Sequence, residues 1–235
     1  VVSGIGNVEH NSILVRYSND FSIWDLESVN HYKDQSDIFF TCHEFSYNKI
    51  AEAYEPYLGL IRQMFHRYCS GTLEEFMEEC DVYKLQRPVF ESYFENGFCE
   101  RTEQILIDEV EYEQERMRNS IVTMLQKLSE IRPVVIVLNR FQLASKSTMQ
   151  LTNRLLQTKN KNIGIVLGVN DVQSIPEFAH EEWDAICESM DDRNMVYHIG
   201  NAGRNMEPDV MDYYSDYESD DGYRKLNNLV YFLDF

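Results

Sequence analysis

Two continuous apolar runs, each ending in a polar pair, constrain the fold more than any other feature of this chain. Residues 134–138 read Val-Val-Ile-Val-Leu, stop at Asn139-Arg140, and pass into a stretch with helical spacing that runs to Leu156. An apolar run without alternation is the signature of a strand buried on both faces, and the longer period that follows marks a helix fed directly by that strand. Residues 163–169, Ile-Gly-Ile-Val-Leu-Gly-Val, repeat the pattern and stop at Asn170-Asp171. Strand, helix and strand in this order build a parallel sheet with helices packed on it. Ligands of such sheets bind outside the carboxyl ends of the strands. Asn139, Arg140 and Asn170 therefore become candidate site residues.

The rest of the chain fits an α/β domain, a parallel β-sheet sandwiched by helices. Residues 1–11 read as the end of a strand and a glycine turn through Gly4 and Gly6, and Ile13, Leu14, Tyr17 and Phe21 then recur at helical spacing over residues 11–21. Residues 38–42 are the next strand. After it comes a large helical insertion, residues 43–132. Its stripes are Tyr57, Leu60, Ile61, Met64, Phe65 and Tyr68, then Leu73, Phe76, Met77 and Cys80, then Val110, Met117, Ile121, Met124, Leu125 and Leu128. The acidic start of the last of these helices suits the positive end of a helix dipole. Past the second apolar run, a helix through Trp183, Ile186 and Met190 leads to a short strand at residues 195–199. The α/β domain is thus expected over residues 1–205. An acidic, tyrosine-rich loop follows over 206–222, and residues 223–235 begin a helical region whose apolar face is completed by sequence beyond Phe235.

Charge and cysteine usage narrow the function classes. The 21 Lys+Arg stand against 40 Asp+Glu, a net charge of -19, which opposes general binding to nucleic acid or anionic membranes because phosphate contacts are made mostly by Lys and Arg. The five cysteines are scattered, with no C-x-x-C pair, so they indicate neither a disulfide framework nor a zinc site and suit reduced thiols in the cytoplasm. No metal site is expected. Cys42-His43-Glu44 reads as a strand with a packed cysteine rather than a nucleophile and base, since adjacent strand residues face opposite sides of a sheet, and His66 and Cys69, one helical turn apart with no second ligand pair in reach, read as structural. The acids among residues 207–221 lack the spacing of an EF-hand loop.

Laid along the chain, these residues resemble the nucleotide-binding core of the STAND and AAA-like P-loop ATPases of bacterial multidomain signalling proteins. In that family the first strand runs into Gly-x-x-x-x-Gly-Lys-Ser/Thr. Here Gly4 begins the loop and Gly6 lies within it, while Glu9, His10 and Asn11 stand for the second glycine, the lysine and the Ser/Thr. Tyr54-Glu55-Pro56-Tyr57 resembles the segment that follows the second strand. Residues 134–156 resemble the Walker B strand, with Asn139-Arg140 replacing its acids, and Asn170 falls where a sensing residue stands.

The resemblance implies a nucleotide site, and the substitutions weaken it. Loss of the lysine removes a charge-assisted contact of about 1.5–3 kcal/mol. A carboxylate such as Glu9 about 4 Å from a phosphate oxygen costs about 4 kcal/mol at an effective dielectric near 20. Asn139 brings no negative charge to Mg²⁺, and no acid at this position orients a water. The expectation is a non-catalytic regulatory scaffold within a larger signalling protein, without a tightly held cofactor. Its partners are proteins or adjacent domains, such as helical repeats and an output module, with no nucleic acid and no membrane. The alternative is a domain that binds ATP and Mg²⁺ weakly, or hydrolyses ATP slowly, through non-consensus residues.

Overall fold

The computed structural model describes residues 12–17, 37–46, 48, 51, 53–97, 110–158, 160–170, 175–191 and 196–199. Over these, five strands, β1 (Ser12–Tyr17), β2 (Phe39–Glu44), β3 (Val134–Asn139), β4 (Ile163–Asn170) and β5 (Val196–Ile199), form one sheet in the order β2-β3-β4-β1-β5. Every neighbouring pair is parallel. The α/β class read from the apolar runs is therefore present.

Burial explains why these segments are strands. All six residues of β3 are buried, as are the first seven of β4, so both faces of the central sheet are covered. A helix at these positions would bury only one stripe. Lys146–Gln157 (α5) connects β3 to β4, and His180–Asp191 (α6) connects β4 to β5. The two helices pack on each other. Ser145 starts α5 by accepting the Thr148 amide on its hydroxyl at 3.2 Å, which satisfies one of the orphan donors of the first turn.

One expectation is overturned here. Residues 12–17 are a strand, not the first turns of a helix over 11–21. Ile13, Leu14 and Tyr17 fit a helical stripe, but Val15 between them is equally buried. β1 lies between β4 and β5, where a continuous run is covered on both faces, and a short apolar run cannot be assigned by period alone. Arg16 is the polar interruption. Its guanidinium donates to Cys187 Sγ at 3.2 Å and lies over the Trp183 ring, 5.8 Å from the centroid, so α6 supplies a partner for the cation.

The chain between β2 and β3 builds a second compact unit, Tyr54–Arg132. It contains Tyr57–Tyr68 (α1), Leu73–Glu79 (α2), Arg87–Asn96 (α3) and Val110–Ile131 (α4). Its core holds Leu60, Ile61, Met64 and Phe65 from α1 with Ile121, Met124, Leu125 and Leu128 from α4, the stripes seen in the sequence. Phe65 is the hub of an aromatic cluster, 5.2 Å from Phe76 and 5.5 Å from Phe94 between ring centroids. Tyr68 departs from the expected stripe. It is only half-buried, with the Arg67 and Arg132 guanidinium groups over its ring at 5.4 and 5.0 Å.

Local chemistry sets the helix ends in this unit. Thr72 and Glu75 form a reciprocal capping box at the start of α2. Gly97 ends α3 at φ 82°, a left-handed conformation that costs glycine little, and Arg62 donates to the Phe94 carbonyl at 2.7 Å near the same end. The expected loop residues Gly4, Gly6, Glu9, His10 and Asn11, the acidic segment 206–222 and the helix at 223–235 lie outside the described residues. No helix among the described residues is long and apolar enough to cross a membrane.

Candidate functional site

The strand order creates a place where a ligand could lie. The chain runs from β1 to β2 at one edge of the sheet, then steps through β3 and β4 and passes β1 to reach β5. Adjacent strands β1 and β4 are therefore followed by strands on opposite sides, which is a topological switch point. Strand register brings the relevant ends together: Tyr17 is level with Asn170, and Glu44 is level with Asn139. Among the described residues these four, with Arg140 and Gln142, lie at the carboxyl ends of β1 to β4.

Asn139 ends β3 and is 2% exposed. Its side-chain oxygen accepts a 2.7 Å hydrogen bond from the Tyr17 hydroxyl. β4 lies between β1 and β3. The two strands are thus separated by two strand spacings, about 9–10 Å. The bond arches over the end of β4, using the length of the tyrosine side chain. Burial pushes the Tyr17 pKa up; the charge of Arg140 and its hydrogen bonding pull it back in part, and Glu44 pushes it up again. The net rise keeps the hydroxyl protonated, as a donor to Asn139 must be.

Arg140 follows in the left-handed region, φ 53° and ψ 43°. For a residue with a side chain this conformation costs about 1–2 kcal/mol. It reverses the chain so that Phe141 and Gln142, both 0% exposed, enter the core as the first residues of a short 3₁₀ turn. The gain from burying Phe141 is about 1.5–3 kcal/mol, enough to hold the strained residue in place. Gln142 Oε1 then accepts the backbone amide of Asn170 at 3.4 Å, tying the end of β4 to the turn after β3. Arg140 Nε stands 3.3 Å from Glu44 Oε1, with both side chains about two-fifths exposed. At that exposure the pair contributes at most about 1 kcal/mol.

Of the residues expected at a site, Asn139, Arg140 and Asn170 do lie together at this edge. Tyr17, Glu44 and Gln142 join them without having been singled out as site residues. Tyr17 was hidden because its strand carries a helical pattern, and Glu44 because its closeness to Arg140 depends on the β2–β3 register. Glu44 is the carboxylate within this group, and it faces a guanidinium rather than a second acid. Among the described residues no cluster of three His, Cys, Asp or Glu side chains is placed to hold a metal ion. Comparison with protein-family models, with curated proteins and with solved structures finds no match.

Proposed function

We propose that this chain is a degenerate relative of the P-loop ATPases, kept as a non-catalytic scaffold for protein interactions within a larger signalling protein. The observation that carries this reading is the Tyr17–Asn139 hydrogen bond. The resemblance puts the metal-binding acid at Asn139. Here that position holds a neutral amide, buried, with its oxygen already engaged by a tyrosine. The neighbouring cation, Arg140, is engaged by Glu44. Internal pairing at the end of β3 holds strands β1, β2 and β3 together, which favours a rigid sheet over a site that opens to phosphate.

The resemblance adds the setting: a cytoplasmic multidomain protein, with helical repeats or an output module as neighbours. In this reading the helical unit between β2 and β3 is the part available to partners. The second reading is a domain that binds ATP weakly through unconventional residues. It draws on the switch point at the β1/β4 ends and on the two-fifths exposure of Arg140, a cation at the edge where a phosphate would lie.

Equilibrium dialysis of the chain against radiolabelled ATP, with and without Mg²⁺, separates the two. The scaffold reading expects no retention at millimolar nucleotide. Retention that requires Mg²⁺ and is lost in Arg140→Ala would establish the second reading instead.

A further inference from the structure

Among the described residues the buried side-chain oxygens that find no donor are Glu182 Oε2 and Asn153 Oδ1. Glu182 lies in the first turn of α6 and is 9% exposed. Its other oxygen accepts twice, from Lys146 Nζ at 3.0 Å and from Gln150 Nε2 at 2.9 Å. Lys146, Gln150 and Asn153 follow one another along α5 at the spacing that puts helix side chains on one stripe. The bonds to Glu182 set that stripe against α6, and Asn153 stands one turn beyond Gln150 on it. Both orphaned oxygens thus belong to one polar seam between two packed helices.

The atoms of the seam define the ligand that suits it. Both orphaned atoms are acceptors, so an anion or an apolar group would leave them unsatisfied. The carboxylate already faces the Lys146 ammonium, which balances its charge and repels a second cation. A neutral donor with two hydrogens fits instead. It has to be small, because both oxygens are shielded from solvent. Water meets every condition, and internal waters characteristically bridge buried polar groups that the protein leaves unsatisfied.

We propose that one internal water between α5 and α6 donates one hydrogen to Glu182 Oε2 and the other to Asn153 Oδ1, completing the seam that Lys146 and Gln150 begin. The bridge ties the helix that follows β3 to the helix that follows β4. This goes beyond the scaffold reading and does not depend on it, since the seam contains none of the residues at the carboxyl ends of the strands.

A high-resolution crystal structure of the whole chain tests the bridge, with a second crystal soaked in rubidium chloride to report any cation by its anomalous signal. The expected result is a water within about 2.7–3.0 Å of both oxygens and no rubidium at that place. In solution, magnetic relaxation dispersion of water is expected to count one fewer long-lived water in Asn153→Leu than in the parent, with unchanged far-UV circular dichroism. The parent crystal decides the matter even where the variant does not fold. A direct hydrogen bond between the Asn153 amide and the Glu182 carboxylate overturns the proposal. So does a rubidium ion at the seam, or an equal count of long-lived waters in the parent and a folded Asn153→Leu.

Discussion

The Tyr17 hydroxyl and the Asn139 side-chain oxygen are 2.7 Å apart, and the bond between them joins two strands that are not neighbours in the sheet. A tyrosine whose ring is core and whose hydroxyl reaches a buried amide acts on stability and on site chemistry at once. Removing the hydroxyl leaves Asn139 Oδ1 without that donor in a buried place. Tyr17→Phe is expected to destabilise the chain by about 1–3 kcal/mol. Urea denaturation reads this as a lower midpoint with an unchanged m-value. In a double-mutant cycle with Asn139→Ala, the coupling between the two positions is expected to be about 1 kcal/mol, well above the limit for independent sites.

Arg140 tests whether the turn after β3 carries backbone strain. Glycine adopts its left-handed conformation freely, so Arg140→Gly gains about 1 kcal/mol from relief of strain and loses at most a similar amount from the exposed Glu44 pair. Its net stability is expected within about 1 kcal/mol of the parent. Arg140→Val, which loses the same pair and adds a β-branched side chain at positive φ, is expected to be the less stable of the two by more than about 1 kcal/mol. Thermal unfolding of the two variants side by side gives the order.

These positions also show what the sequence made legible. The carboxyl ends of β3 and β4 were readable because a strand buried on both faces has to be apolar throughout, so the first polar residue marks the edge. The helix stripes through Ile61, Met64, Met124 and Leu128 were readable for the related reason that one buried face repeats every 3.6 residues. β1 was not. Ile13, Leu14 and Tyr17 satisfy both periods, and only tertiary context, insertion between β4 and β5, decides between them. The partners of Asn139 and Arg140 were hidden for the same physical reason: Tyr17 lies 122 positions away and Glu44 arrives through strand register, neither of which a local pattern encodes.

Glu182 sets the acid response of the α5/α6 contact. Burial pushes its pKa up, but hydrogen bonds from Lys146 at 3.0 Å and Gln150 at 2.9 Å outweigh that, and the net shift is downward. A carboxyl group with a depressed folded-state pKa contributes stability above its unfolded value of about 4.3 and loses that contribution as pH falls through the lower folded value. Between pH 7 and pH 3 the parent is therefore expected to lose more stability than Glu182→Gln, which keeps an oxygen acceptor and cannot titrate. Urea midpoints of both proteins across this range make the comparison, and parallel pH profiles would show that Glu182 plays no part.

Cys80 is buried, and burial is the main cause that pushes its thiol pKa up to about 12, with Lys127 opposing and Glu79 adding to the rise. Thiolate is the reactive form, so native Cys80 is expected to resist alkylation at pH 8 and to react when the helical unit unfolds. Cys42, Cys69 and Cys187 are half-buried and should label before it. Mass spectrometry of timed iodoacetamide reactions resolves the order, and early labelling of Cys80 would show that the helical unit opens without global unfolding.

At the carboxyl edge of the sheet the Asn139 oxygen and the Arg140 guanidinium are engaged by Tyr17 and Glu44, which leaves neither for a nucleotide in the scaffold reading. Thermal melting of the whole chain with millimolar Mg-ATP, with Mg-ADP and with neither puts this to the test. A nucleotide present at 100 times its dissociation constant would stabilise the fold by about 2.7 kcal/mol and raise the melting temperature visibly. Superimposable curves are expected for the parent chain. A rise in melting temperature that requires Mg²⁺ would show instead that this edge binds nucleotide.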